Sequence, residues 1–184
     1  ELITCPFNAF LLLYTRDDVE RFLARVAAHL APGGSFVFDV SIPGKVEVRE
    51  SAKRGRGTEV VAVRTPVAYL GLTVCYDLRF PELFRALARA GAEILCVPSA
   101  FTFPTGAAHW EVLLRARAIE NQCWVIAANQ HGPSGQGHHD YGHSMIVDPW
   151  GTVVARASDG ERVVTAEIDL GLVEKVRREM PCLE

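Results

Sequence analysis

The sequence predicts a layered α/β protein, in which near-continuous apolar strands alternate with amphipathic helices. Three observations carry this expectation. Short apolar runs such as EILCVPSA (residues 93–100) and CWVIAANQ (123–130) read as strands buried on both faces. Segments with helical apolar spacing, PELFRALARAGA (81–92) and GAAHWEVLLRARAIENQ (106–122), separate them. The chain is 49% hydrophobic and 22% charged over 184 residues, a composition that folds and a length that fits one ordinary domain.

Taken in order, TRDDVERFLARVAAHLAPGG (15–34) predicts a helix. Val19, Phe22, Leu23, Val26, Ala27 and Leu30 form one apolar face, Thr15 is placed to cap it, and Pro32-Gly33-Gly34 ends it. We expect this helix to pack beside SFVFDV (35–40), which reads as a strand. EVVAVRT (59–65) and LGLTVCY (70–76) read as strands, followed by the helix that Pro81 opens. After the second helix and CWVIAANQ comes HGPSGQGHHDYG (131–142), polar and glycine-rich, which reads as a loop. HSMIVDP (143–149), GTVVARA (151–157) and RVVTAEID (162–169) read as three short strands, and GLVEKVRREM (171–180) as a closing helix.

Composition narrows the function classes. The formal net charge is −3, and the nearest candidate for a basic block is KRGRG, with Lys53, Arg54 and Arg56. Nucleic-acid backbone binding needs a broad basic face, so no nucleic-acid partner is expected. The run AFLLLY (9–14) is far too short to cross a bilayer, so no membrane partner is expected either. Five cysteines, Cys5, Cys75, Cys96, Cys123 and Cys182, are spread without a CxxC pair. That argues against a disulfide framework or a zinc site and points to a reducing, cytoplasmic location. Cys96 and Cys123 sit in apolar runs, where cysteine behaves as a small core residue. His138, His139 and His143 lack further ligands at metal-binding spacing, so no metal site is expected of them. The chain opens on Glu1 rather than methionine, which raises a fragment as one reading.

Cys75 stands out because it ends an apolar run and precedes a turn into a helix. Such a turn exposes its apex side chain and aims backbone N–H groups and a positive helix end at it, favouring thiolate. The N–H of Tyr76 or of a neighbour then stands where an oxyanion would form. A buried, inert cysteine is the competing reading.

Three long stretches now carry a resemblance: LGLTVCYDLRFPEL (70–83), VPSAFTFPTGAAHWEVLLRARAIENQ (97–122) and YGHSMIVDPWGTVVA (141–155). In order and spacing they resemble the nitrilase (carbon–nitrogen hydrolase) superfamily, in its ω-amidase-like branch, over residues 36–184. FDVSIPG with Glu50-Ser51 also fits that family. The resemblance implies an αββα sandwich, incomplete here in its N-terminal half, that pairs into a homodimer. It implies hydrolysis of small, non-peptide amides through a cysteine thioester, without metal or organic cofactor. Cys75 matches the nucleophile and the Tyr76 N–H the oxyanion donor. Ser99, Ala100, Phe101, Thr105, His109 and Trp110 fall around the substrate pocket, and Glu50 matches a supporting carboxylate. Arg117, Glu120 and Asn121 match a buried structural network.

The family's triad also needs a lysine and a glutamate. The lysine opens a strand motif whose end matches Phe38-Asp39, which places Gly34 at the lysine position. The family's general-base glutamate belongs to an N-terminal region with no counterpart in these residues. Residues 5–40, with a helix running into APGGSFVFDV, instead resemble the late part of a class I S-adenosylmethionine-dependent methyltransferase. The expected organisation is therefore a methyltransferase-like segment, 1–35, joined to a nitrilase-like domain, 36–184, with amide hydrolysis severely impaired. A non-catalytic binding or assembly domain that keeps the dimer surface, and a fragment of an active amidase, are the alternative readings.

Overall fold

A computed structural model describes residues 2–5, 21, 35–38, 60–134 and 137–183. Strands β1 (Leu2–Cys5) and β2 (Ser35–Phe38) form a parallel pair of their own, with Leu2 opposite Ser35 and Cys5 opposite Phe38. The first of these strands had no sequence signal. Arg21 is helical and exposed, and the rest of the expected 15–34 helix lies outside the described residues, as does its packing.

The main body is a six-stranded mixed sheet in the order β10-β9-β6-β5-β4-β3. Its strands are β3 (Ala62–Arg64), β4 (Tyr69–Leu72), β5 (Ile94–Cys96), β6 (Trp124–Ala127), β9 (Met145–Val147) and β10 (Val153–Arg156). The three central strands, β4, β5 and β6, run parallel, and the flanking strands join them antiparallel. Parallel neighbours need crossover helices. These are α1 (Pro81–Arg89) between β4 and β5, and α2 (Phe103–Asn121) between β5 and β6.

Period-two alternation explains how the sheet is covered. Leu95, Val97, Val125, Met145 and Val147 face a core completed by Phe84, Leu87, Trp110, Leu114 and Ala118 of the two helices. Ile94, Cys96, Trp124 and Ile146 face the other way, where Val173 of α3 (Leu170–Glu179) closes over them. That second face also carries Leu70, Leu72 and Ile126, which stay only partly buried. Near-continuous apolar strands were the sequence's sign of a two-faced sheet, and the sheet has two apolar faces.

Two expectations need correction. HGPSGQGHHDYG is a β-hairpin, not a loop: β7 (His131–Ser134) pairs antiparallel with β8 (His138–Tyr141). Glycines 132, 137 and 142 take positive φ there, so residues with poor strand propensity are folded back into a ladder by backbone geometry. RVVTAEID forms no strand with the described residues; Ala166 and Ile168 instead pack against the second apolar face, and Asp169 caps α3 by accepting the Gly171 N–H. Smaller shifts occur at boundaries. Helix α2 starts three residues earlier than expected, with Pro104 in its first turn, and β4 stops at Leu72 before Cys75.

Candidate active site

The elements around Cys75 are built by backbone first. Parallel pairing of β4 and β5 continues beyond the strands: Thr73 N–H donates to Cys96 O at 3.1 Å and Cys75 N–H to Pro98 O at 2.7 Å. The Thr73 hydroxyl donates to the same Cys96 carbonyl at 2.9 Å. Cys75 is therefore tied to the strand end that leads into Ser99, Ala100 and Phe101.

At Cys75 the chain turns sharply. Its φ is +47°, in the left-handed region that a residue with a β-carbon adopts at a cost of about 1–2 kcal/mol. A 3₁₀ turn, Cys75–Arg79, follows and Pro81 opens α1. Asp77 closes the turn on itself: its carboxylate accepts the Val74 N–H at 2.9 Å, and its own N–H donates to Val74 O at 3.0 Å. That bond is the first of the turn, so the Tyr76 N–H stands ahead of the ladder, beside the half-buried cysteine. Sequence reasoning anticipated the strand–turn–helix, but nothing in the residue types announced a strained cysteine backbone.

The residues expected to bind substrate divide by burial. Phe101 and Trp110 are buried and their ring centroids lie 5.0 Å apart. The Trp110 indole N–H donates to His143 O at 2.9 Å, so this residue forms the wall behind Phe101. Ser99 is also buried, its N–H and carbonyl engaged by Ala128 and Gln130. Ala100 and Thr105 are half-buried, and the Thr105 hydroxyl lies 3.1 Å from that of Thr102 at the start of α2. His109 is exposed on the first turns of the same helix. Glu50 and Gly34 lie outside the described residues.

Arg79 joins these groups and was missed by the sequence reading. Its guanidinium carbon lies 5.1 Å from the Phe101 ring centroid and 5.4 Å from that of Tyr76, and a terminal nitrogen is 3.3 Å from His109 Nδ1. The signal was present: in a 3₁₀ turn residues three apart eclipse, which sets Arg79 over Tyr76. A cation thus sits among three residues assigned to the site, four positions from the cysteine. A surface groove lined by Pro81, Glu82, Arg85, Ala86, Arg89 and Glu120 runs along α1, and none of the expected substrate residues lines it.

The two buried cysteines, Cys96 and Cys123, are chemically quiet. Burial pushes the Cys96 thiol up to about 12. Burial likewise pushes Cys123 up to about 11, against the lowering effect of the nearby Arg177 guanidinium. Asp140 on β8 is 3% exposed, and burial raises its carboxyl, while the Ser134 hydroxyl, His139 and His138 act in the opposite sense. Arg117, Glu120 and Asn121 make the buried network expected of them. Arg117 donates to Leu78 O and to Glu120, and Asn121 donates to Arg117 O.

With this geometry in place, comparison with known proteins decides the family. The sequence profile described as Carbon-nitrogen hydrolase matches residues 29–178. The chain belongs to the carbon–nitrogen hydrolase family. Deaminated glutathione amidase of Mus musculus is 56% identical over 148 residues, which are 79% of this chain and 46% of that protein. The human protein of the same name is 55% identical over 147 residues, 79% of this chain and 45% of its own length. The chain thus spans about half the length of these curated relatives. Among solved carbon–nitrogen hydrolase structures, the C. elegans NitFhit protein superposes with a TM-score of 0.66 at 54% identity, covering 78% of this chain and 35% of that one. Saccharomyces cerevisiae Nit3, titled a member of branch 10 of the nitrilase superfamily, gives 0.68 at 39% identity, covering 73% and 49%. The α/β architecture described above is the one these hydrolases share.

Proposed function

We propose that this chain carries the nucleophile half of an amidase for small, acid-bearing, non-peptide amides. Cys75 attacks the amide carbonyl, its thiol proton passing to the leaving nitrogen, so that a thioester forms and ammonia departs. Water then cleaves the thioester, returning the thiol and releasing the acid. The Tyr76 N–H steadies the oxyanion. Phe101, Trp110, Ser99, Ala100, Thr105 and His109 shape the pocket, and Glu50 supports it. The observation that carries this reading is Cys75 itself: a left-handed φ of +47° at the apex of a strand–turn–helix, in a family member 56% identical to an amidase. The guanidinium of Arg79 over Phe101 supports a substrate with a carboxylate.

As these 184 residues stand, hydrolysis is severely impaired, because Gly34 occupies the lysine position and no counterpart of the general-base glutamate accompanies it. Loss of a general base alone costs about 10²–10⁴ in rate. We further propose that residues 1–35 are a methyltransferase-like segment joined to the nitrilase-like residues 36–184. The run APGGSFVFDV, residues 31–40, supports this. A homodimer in the cytoplasm completes the proposal.

Ammonia release from small ω-amides, compared between the chain and Cys75→Ala, tests it. A signal that is weak but above that of the Ala variant is expected. Equal signals from two folded dimers would favour a binding or assembly domain, and full amidase rates would overturn the impairment.

A further inference from the structure

We infer that Asn129 is a positioning residue for the candidate substrate loop, holding the Phe101 backbone and through it the aromatic wall on which Arg79 rests. The inference builds on Cys75 being the nucleophile.

Asn129 follows β6, is 8% exposed, and bridges in parallel to Ser99. Up to this point the extensions of β5 and β6 are held by main-chain bonds: Ser99 N–H donates to Ala128 O at 2.8 Å and Gln130 N–H to Ser99 O at 2.9 Å. Beyond it the two chains part, Gln130 entering the β7–β8 hairpin and Phe101 approaching α2. The next rung is supplied by a side chain. Asn129 Oδ1 accepts the Phe101 N–H at 2.9 Å, and Nδ2 donates to Gly142 O, at the far end of the hairpin, at 2.7 Å. Its own N–H donates to Ser144 Oγ at 2.9 Å. The amide therefore imitates a peptide group, acceptor toward the loop and donor toward the hairpin. A reversed amide would set like against like at both ends. The hairpin completes the clamp from its side, Tyr141 N–H donating to Phe101 O at 2.8 Å.

Phe101 is thus held at both backbone groups, and its ring is the surface that Trp110 backs and Arg79 covers. Loss of the Asn129 amide leaves the buried Phe101 N–H and Gly142 carbonyl without these partners, a penalty that the loop relieves by moving. The displaced group is then the Phe101 ring on which Arg79 rests, and the effect falls on the charge preference of the site more than on the reactivity of the sulfur.

Alkylation of Cys75 by iodoacetate and by iodoacetamide, reagents of similar size and different charge, reads that preference when followed by peptide mass spectrometry. In the unaltered chain Arg79 favours iodoacetate relative to Arg79→Met. Asn129→Ala is expected to lower the iodoacetate-to-iodoacetamide rate ratio about threefold or more while the iodoacetamide rate changes less than about twofold, and the double variant should fall no further than Arg79→Met. Hydrogen exchange at the Phe101 amide adds a second readout. Asn129→Ala should accelerate it about tenfold or more. An unchanged ratio in Asn129→Ala, with Arg79→Met lowering it, overturns the inference. Equal Phe101 exchange in Asn129→Ala and the unaltered chain does the same. A Cys75 that neither reagent labels in the unaltered chain would instead overturn the nucleophile reading beneath it.

Discussion

Arg117 donates two hydrogen bonds to the carbonyl of Leu78, from Nε at 3.0 Å and from a terminal nitrogen at 2.8 Å. Leu78 belongs to the turn that begins at Cys75, and Arg117 stands on α2, so a buried guanidinium ties the cysteine turn to the helix beside it. Its remaining terminal nitrogen donates to Glu120, and its guanidinium carbon lies 5.4 Å from the Phe84 ring centroid.

Arg117→Met should therefore destabilise the chain by about 2–4 kcal/mol, because the apolar side chain fills the space but leaves a buried carbonyl unmet. Arg117→Lys should recover only part of this, since an ammonium cannot reproduce the two-pronged geometry. Urea unfolding midpoints for the three proteins measure the order. Equal stability of Met and Arg variants would show that the tie to Leu78 is energetically idle.

The backbone at Cys75 makes an unusual prediction about alanine and glycine. At ordinary positions glycine is the less stable of the two, but at φ +47° only glycine is free of the β-carbon penalty. Cys75→Gly should be as stable as Cys75→Ala or more so, by up to about 1 kcal/mol. Thermal unfolding of the pair decides it, and a clear advantage for alanine would contradict the strained turn.

Thiol chemistry should follow position. With pKa values of about 12 and about 11, Cys96 and Cys123 hold no more than about one thiolate in 10³ at pH 8, and both are also buried. Iodoacetamide at that pH should label Cys75 and the exposed Cys182 while leaving these two intact in the folded chain. Mass mapping provides the test. Rapid labelling of Cys96 would mean that the central sheet opens on the timescale of the reaction.

Asp140 should make stability fall with rising pH over the carboxylate range. Burial raises its carboxyl in the folded chain, so between the unfolded value and the raised one the native state holds the extra proton. Stability from this group is thus full below the unfolded value and is lost as pH climbs through the folded one. Asp140→Asn removes the charged form and should flatten that limb and raise the unfolding midpoint at pH 7. A variant with the same pH slope as the parent would exclude Asp140 as its source.

How far the residues announced this arrangement depends on what kind of force built each part. Near-continuous apolar runs in Ile94–Cys96, Trp124–Ala127 and Met145–Val147 announced the sheet, because burial on two faces leaves a composition that can be read. Pro81 and the core-facing stripe of Trp110, Leu113, Leu114 and Arg117 announced the helices through their positions. The β7–β8 hairpin was illegible, since its ladder is made by main-chain groups and positive-φ glycines rather than by strand-forming side chains. At the site, Cys75 was recognisable by its motif, whereas Asn129 was hidden: an amide standing in for a peptide group leaves no periodic trace. Arg79 lay within a quoted motif but acquired meaning only when Phe101, distant by 22 positions, came beneath it.

The parallel pair β1–β2 has a practical consequence for handling the molecule. Leu2–Cys5 and Ser35–Phe38 hold each other in register, so a version cut anywhere between them keeps a strand whose ladder partner has gone. Shortened versions should therefore keep both strands or begin near residue 60, beyond the two of them.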